Sequence, residues 1–441
     1  GTFLGSGLTL STAALASGQH TIYFAVTDTH GVTATTSIGV FVNRLATPSF
    51  GITPTTFGTQ YATNSLGIGV YLVSTDSYNL TFTATSTDFE GGVIPTASYA
   101  WYDVTSGEPG TFIASGTTLN RNFGSGINPS PGQYVYRIKV WDSLGTLASA
   151  ATTFQVWGIR SYLGPGTGNG QLAGATGIDS NGATSFYLAD SSNSRYQKLD
   201  SSFLYSTQYP GGLPASFSST ISDIKYSASK IWVLDSASST ITILNDAVPP
   251  TFVATWGGLG TGNGSFTQPA GIETDGTYAY ISDAGNNRVQ RFSNILATWT
   301  FDTQLTGLAS PTGIAFAGTT LFFVAERAGS GGVIKKYDTT FNLQGAWAVG
   351  GLASFSFGQN MALAADSSGR VFVADVNNSK IHVLDTTGSL AVSFGGAGSG
   401  IGKFQNPAGI NNSDATNKII QISDTLNNRI IEIKPGSTCG W

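Results

Sequence analysis

PAGIETDGTYAYISDAGNNRVQRF, residues 269–292, alternates apolar with small or polar residues in three short runs. Asp275-Gly276 separates the first run from the second, and Asp283-Ala-Gly-Asn-Asn-Arg288 separates the second from the third. Alternation broken by Asp-Gly and Asn-rich steps is the mark of antiparallel hairpins. The stretch recurs along the chain. An Asp-x-x-Asn-x-Arg/Lys pattern falls at Asp190, Asn193 and Arg195, at Asp283, Asn286 and Arg288, at Asp375, Asn378 and Lys380, and at Asp424, Asn427 and Arg429. Weaker copies at Val233-Leu-Asp235 and Val324-Ala-Glu326 fill the gaps. The six acidic positions are spaced by 45, 48, 43, 49 and 49 residues. Six copies at that period, each long enough for four strands, predict a six-bladed β-propeller.

Pro269-Ala-Gly271-Ile272, Tyr280-Ile-Ser-Asp283 and Asn286-Asn-Arg288-Val289-Gln290-Arg-Phe292 resemble the NHL repeat, and the resemblance covers residues 157–441. No Gly-His to Trp-Asp signature is present, so the WD40 pattern fits less well. Gly177-Ile178, Gly271-Ile272, Gly313-Ile314 and Gly409-Ile410 are expected on the innermost strands, where glycine marks close backbone approach. The Asp, Asn and Arg/Lys of each repeat read as blade scaffolding: side chains bonded to turn backbone, with the Arg laid along the blade. Phe154-Gln-Val-Trp157-Gly158 precedes the first copy and is similar to the outer strands at Val253–Gly258, Gly345–Trp347 and Leu390–Gly396. It is expected to complete the sixth blade and so to join the ends of the ring.

Upstream, Gly1-Thr-Phe-Leu-Gly-Ser-Gly-Leu-Thr-Leu10 repeats as Gly110-Thr-Phe-Ile-Ala-Ser-Gly-Thr-Thr-Leu119, and each copy is followed by two strand-like runs. The offset is about the length of one immunoglobulin-like sandwich. Residues 45–156 are expected to form a complete Ig-like domain, with Trp101 buried on a central strand. Tyr134–Asp142 resembles the late strand of polycystic-kidney-disease-type domains. Residues 1–44 match only the C-terminal half of such a domain, and that half is expected to self-associate by accepting a strand, or else to belong to a longer protein.

Charged residues make up 10% of the 441, aromatics 12%, and the chain holds 57 glycines and 15 prolines. This is the composition of a turn-rich β protein, not of a disordered one. A net charge of −5 gives no electrostatic reason to expect nucleic acid. One cysteine, Cys439, excludes an internal disulfide framework and a thiolate metal cluster. No run of 18 apolar residues is long enough to span a membrane as a helix.

The three histidines, His20, His30 and His382, form no metal-ligand spacing. Propeller lyases and lactonases, which the resemblance brings to mind, hold a metal near the axis. Here the axial strands are expected to carry Asp179, Asp223, Glu273 and Asp366, but also Ala315 and Asn411. They are expected in turn or surface roles, with a calcium site as the alternative. The glycine-rich runs at Gly164–Gly170 and Gly257–Gly264 lack a Gly-Lys-Ser/Thr ending and precede strands, so they are expected as inter-blade loops. Asn79, Asn263, Asn377 and Asn411 are sequon asparagines and candidate glycan acceptors.

These readings together predict an all-β protein: residues 1–44 half an Ig-like domain, 45–156 a β-sandwich, 157–441 a six-bladed propeller. No catalytic residue, metal or cofactor is expected. The expected role is that of an extracellular or cell-surface structural and adhesive protein, a self-assembling filament or surface-layer subunit without enzymatic activity. A receptor or carbohydrate-binding propeller is the alternative, and a metal-dependent lyase or lactonase the next.

Overall fold

The computed structural model describes residues 18–29, 31–42, 47–54, 61–63, 69–74, 78–87, 94, 96–123, 132–141, 145–182, 184–209, 217–218, 220–293, 299–348, 357–400, 402–414 and 419–435. Cys439 and residues 1–17 lie outside them. The described chain is almost wholly antiparallel β and divides into two units that interleave along the sequence.

The larger unit comprises residues 56–78, 122–133 and 154–441 and is a β-propeller. Blade 1 runs Ala175–Ser180, Ser185–Asp190, Arg195–Asp200 and Tyr205–Tyr209. Blade 2 runs Ile221–Ser227, Lys230–Asp235, Thr240–Asn245 and Thr251–Gly257. Blade 3 runs Pro269–Thr274, Ala279–Asp283, Arg288–Ser293 and Thr300–Leu305. Blade 4 runs Pro311–Ala317, Leu321–Ala328, Gly331–Asp338 and Leu343–Ala348. Blade 5 runs Met361–Ala365, Val371–Asp375, Lys380–Leu384 and Leu390–Gly395. Blade 6 takes Pro407–Asp414, Ile419–Asp424 and Arg429–Pro435 from the C-terminal end of the chain. Its fourth strand comes from upstream: Trp157 pairs with Pro435 and the register continues to Tyr162 opposite Ile430. Closure therefore uses the segment expected for it, with the pairing centred a few residues further along.

Each blade is a sheet with two apolar faces, so neighbouring blades bury one another. The second strand of each blade is buried along most of its length, as in Ser185–Asp190, Ala279–Asp283 and Val371–Asp375. The inter-blade cores are aromatic and aliphatic. Tyr187, Tyr196, Tyr209 and Phe217 pack with Ile224 and Val233 between blades 1 and 2. Trp232, Phe266, Phe292 and Ile272 pack between blades 2 and 3. The six innermost strands each contact the next, blade 1 to 2 and onward to 6 and back to 1, so the ring is closed.

The smaller unit comprises residues 1–55, 79–121 and 134–153. In it a sheet of Thr47–Pro54, Tyr78–Thr87 and Thr118–Phe123 faces one built on Tyr99–Asp103, Thr111–Ser115 and Gly132–Trp141. Phe50 and Phe82 of the first sheet meet Trp101 of the second at ring-centroid distances of 5.1 and 6.2 Å. Trp101 is fully buried and its indole N–H donates to the Gly116 carbonyl at 2.8 Å. Gly18–Thr27 and Thr33–Val42 form a two-stranded sheet whose Tyr23, Phe24, Val26 and Ile38 side chains are exposed. No helix among the described residues is long and apolar enough to cross a membrane.

Candidate functional site

The six acids of the repeat are buried, and each fastens the chain just before its own blade's innermost strand. Backbone N–H groups of Ala173, Ser218, Thr267, Ala309, Gly358 and Gln405 donate to Asp190, Asp235, Asp283, Glu326, Asp375 and Asp424 at 2.6–2.8 Å. Arg195, Arg288 and Arg429 donate Nε–H to Asp190, Asp283 and Asp424 at 2.7–2.8 Å. Their outer nitrogens bind carbonyls of the glycine-rich runs, such as Gly168, Gly262 and Ser399. Asn193, Asn286, Asn378 and Asn427 donate to Asp190, Asp283, Asp375 and Asp424 at 2.8–2.9 Å. Lys380 is exposed, and His382 stands beside Asp375 at 3.5 Å. The repeat residues thus point into the blade and its loops rather than into the channel.

The innermost strands carry the other chemistry. Aligned through the register with their second strands, they present Gly177, Asp223, Gly271, Gly313, Ala362 and Gly409 at one position. A Cβ on Gly271, Gly313 or Gly409 would lie 2.4–2.7 Å from a carbonyl oxygen of the next innermost strand. Those glycines let neighbouring backbones touch. Blade 2 has a carboxyl there instead. Asp223 accepts the Ile224 N–H at 2.8 Å and, across the blade boundary, the Ile272 N–H at 3.0 Å.

Two residues on, the six positions are Asp179, Lys225, Glu273, Ala315, Ala364 and Asn411. Lys225 Nζ lies 2.8 Å from Glu273 Oε1 and 3.6 Å from Asp179 Oδ1. Asp179 also accepts the Tyr226 N–H at 2.7 Å and Glu273 the Thr274 N–H at 2.9 Å. Asn411 donates to Ser180 Oγ and Gln421 Oε1, both at 3.2 Å. With Asp223 these side chains line a cavity of about 280 Å³ at the end of the axis where the innermost strands leave it, the strand-exit mouth. Tyr226 and Phe316 are also among its lining residues, and its surface is mostly polar.

Charge in this mouth is unbalanced. Burial pushes the Asp223 carboxyl from 3.8 up to about 7, against the pull of its two N–H donors and of Lys225. Burial likewise raises Glu273, with Lys225 acting in the opposite sense. Burial works against the ammonium of Lys225, but Asp179 and Glu273 outweigh it and raise its pKa, so the residue stays charged. The mouth therefore holds a fixed ammonium between two carboxylates and, beside them, a carboxyl that exchanges its proton near neutrality.

Several expectations need correcting. Asn411 is buried on an innermost strand, so it belongs to this cavity and not to a glycan-bearing turn. Asp366 lies beyond the axial strand, held by Arg370 and by Ser368 at 2.6 Å. Asp179, Asp223 and Glu273 are neither turn nor surface residues. A calcium site does not fit them either: the position between Asp179 and Glu273 is taken by the Lys225 ammonium, and no group of three or more His, Cys, Asp or Glu among the described residues is placed to hold an ion. Lys225 belongs to no repeat motif and no metal-ligand pattern, so the sequence analysis does not name it. Its signal was the Asp223-Ile-Lys225 run where other copies have Gly-Ile.

No family model matches the chain, and no curated protein matches it in sequence. Among solved structures it is similar to an auxiliary nutrient binding protein from Bacteroides ovatus, at 11% identity over 82% of this chain and 95% of that one, TM-score 0.47. A streptogramin B lyase is 14% identical over 63% of this chain and 97% of its own, TM-score 0.43. A catalytically inactive virginiamycin B lyase from Staphylococcus aureus is 12% identical over 88% and 99%, TM-score 0.41. At such identities the likeness speaks to the fold alone. These neighbours are enzymes and a binding protein, not filament subunits or adhesins. The expectation of a structural, adhesive, non-enzymatic subunit is corrected on the axis itself, where the Lys225 ammonium, which that expectation left out of account, lies between Asp179 and Glu273 on the cavity that Asp223 also lines.

Proposed function

We propose that this protein is an enzyme that takes a small hydroxyl- or amine-bearing molecule into the strand-exit mouth and moves a proton on it, with Asp223 as the acid and base. The observation that carries this reading is the convergence of Asp179, Asp223, Lys225 and Glu273, from three consecutive blades, on one cavity. An acid–base group works best when its pKa is close to the operating pH, and buried groups with shifted pKa values gather at functional sites. Lys225 holds the Glu273 carboxylate in place, and Asp179 and Glu273 offer acceptors to substrate hydroxyl or ammonium groups.

The test is proton NMR of aldoses, ketoses, polyols and amino sugars incubated with the protein in D2O. Turnover or solvent-deuterium incorporation is expected for a subset, with kcat/KM inflecting near pH 7. Asp223→Asn abolishes it. Asp223→Gly, which restores the residue used by four other blades, folds but is inactive. No binding of any of these compounds by saturation-transfer NMR would contradict the proposal.

We further infer that the ring is built of NHL-type repeats and that the two-sheet unit is Ig-like. The spacing of the six buried acids supports the first reading, and the Phe50–Phe82–Trp101 packing supports the second. The low charge content supports a place outside the cytoplasm, with Asn263 and Asn377 exposed as glycan acceptors. The exposed Tyr23, Phe24, Val26 and Ile38 support pairing of two copies through the Gly18–Val42 sheet. Sedimentation of the wild type against a Phe24→Ser, Val26→Ser variant tests that pairing, and a monomeric wild type refutes it.

A further inference from the structure

The axis opens at its other end, where the innermost strands enter, into a second cavity of about 360 Å³. Its rim includes the residue that follows the acid in several blades: Ser236, Ala284, Arg327 and Val376. Blade 4 alone places a charge there. That charge has no carboxylate partner among the described residues. Arg195, Arg288, Arg291, Arg370 and Arg429 each ion-pair with an aspartate. Arg327 donates instead to the Asn360 side-chain oxygen at 3.0 Å and is exposed. The reason lies in the blade itself. Successive residues of a strand point to opposite faces, so Glu326, which pairs with Lys335 at 2.5 Å, does not share a face with Arg327, whose guanidinium is left at the rim.

The hydroxyls of this mouth are oriented too. Ser222 donates to the Pro269 carbonyl at 3.2 Å, Ser236 to Thr220 at 3.2 Å, and Thr312 to Met361 at 3.1 Å. Their hydrogens are spent on backbone, so they offer lone pairs and accept hydrogen bonds from a ligand. Asp223 also reaches this cavity.

We infer that the strand-entry mouth binds a hydroxylated oxyanion, the carboxylate or phosphate monoester of a sugar or polyol. The planar guanidinium of Arg327 takes the anion, and Ser222, Ser236 and Thr312 accept from the ligand's hydroxyls. This site does not depend on whether Asp223 performs chemistry at the opposite mouth.

Isothermal titration of the full chain with gluconate, glucose 6-phosphate, inorganic phosphate and glucose tests it. Gluconate or glucose 6-phosphate is expected to bind, which of the two identifying the oxyanion, and to bind more weakly as salt rises. Glucose and inorganic phosphate are expected to bind at least tenfold less well. Arg327→Gln should weaken binding about tenfold or more, since it removes a charge-assisted hydrogen bond, with a melting temperature equal to wild type. Arg327→Lys should retain part of the affinity, and Lys380→Gln, an exposed cation elsewhere, all of it. Failure of both sugar anions to bind, or unchanged affinity in Arg327→Gln, overturns the inference, as does inorganic phosphate binding as tightly as glucose 6-phosphate.

Discussion

Asp223 stands where four other blades have glycine and one has alanine, so one substitution in a repeat turns a packing position into a titrating one. Its folded pKa of about 7 lies above the ordinary 3.8. The native state therefore holds a proton over a range in which the unfolded chain has released it. The stability this contributes is full below about pH 4 and is lost as pH rises through 7. Asp223→Asn removes that dependence. The melting temperature of the variant, relative to wild type, should thus climb between pH 4 and pH 8, and a constant difference would show that Asp223 is not shifted. His382 offers the opposite sign. It is buried at the position that carries Gln197 and Gln290 in blades 1 and 3, where each amide donates to the blade's aspartate. Burial lowers its pKa below 6.5, with Asp375 opposing and Lys380 assisting. Here the unfolded chain takes up the proton first, so stability is present above 6.5 and lost as pH falls below it. His382→Gln should lose less melting temperature than wild type between pH 7.5 and pH 5.5.

At the scale of the strand, the glycines of the innermost strands set how closely the blades approach. A methyl group on Gly409 would meet the Thr176 carbonyl oxygen at 2.4 Å, and backbone cannot yield as a side chain does. Gly409→Ala should cost about 1–3 kcal/mol in denaturant unfolding. Gly345→Ala, with no atom within 4 Å of the added carbon, should cost little. These strands were legible in the sequence because Gly-Ile recurs at the repeat's period. Blades 2 and 4 were faint, since Asp235 and Glu326 persist there while the Asn and Arg do not, yet both fold alike. The physical reason is that the acid alone fastens the blade, by accepting the N–H of Ser218 or Ala309. The site was less legible. Asp223 and Asn411 were visible as polar residues on axial strands, but side-chain bonds across blade boundaries join residues 45 or more positions apart, and no local pattern records them. Asn411 was also masked by its sequon, which reads the same whether the residue is buried or exposed.

For the whole molecule, the ring joins the strand at Trp157–Tyr162 to the end of the chain at Ile430–Pro435, so blade 6 cannot form until residues from both are present. Amides of residues 157–162 should exchange as slowly as those of Val371–Asp375, and loop-like exchange there would mean an open ring. A closed ring is also what brings blades 1, 2 and 3 together around one mouth and gives Asp223 its charge-crowded surroundings. The most direct measurement is a carbon-detected NMR titration of the Asp223 carboxyl in the intact protein, identified by its absence from Asp223→Asn. A midpoint near 7 is predicted. A midpoint near 4 would show a solvated carboxylate with no proton to give at neutral pH, and the proposed chemistry would fall with it.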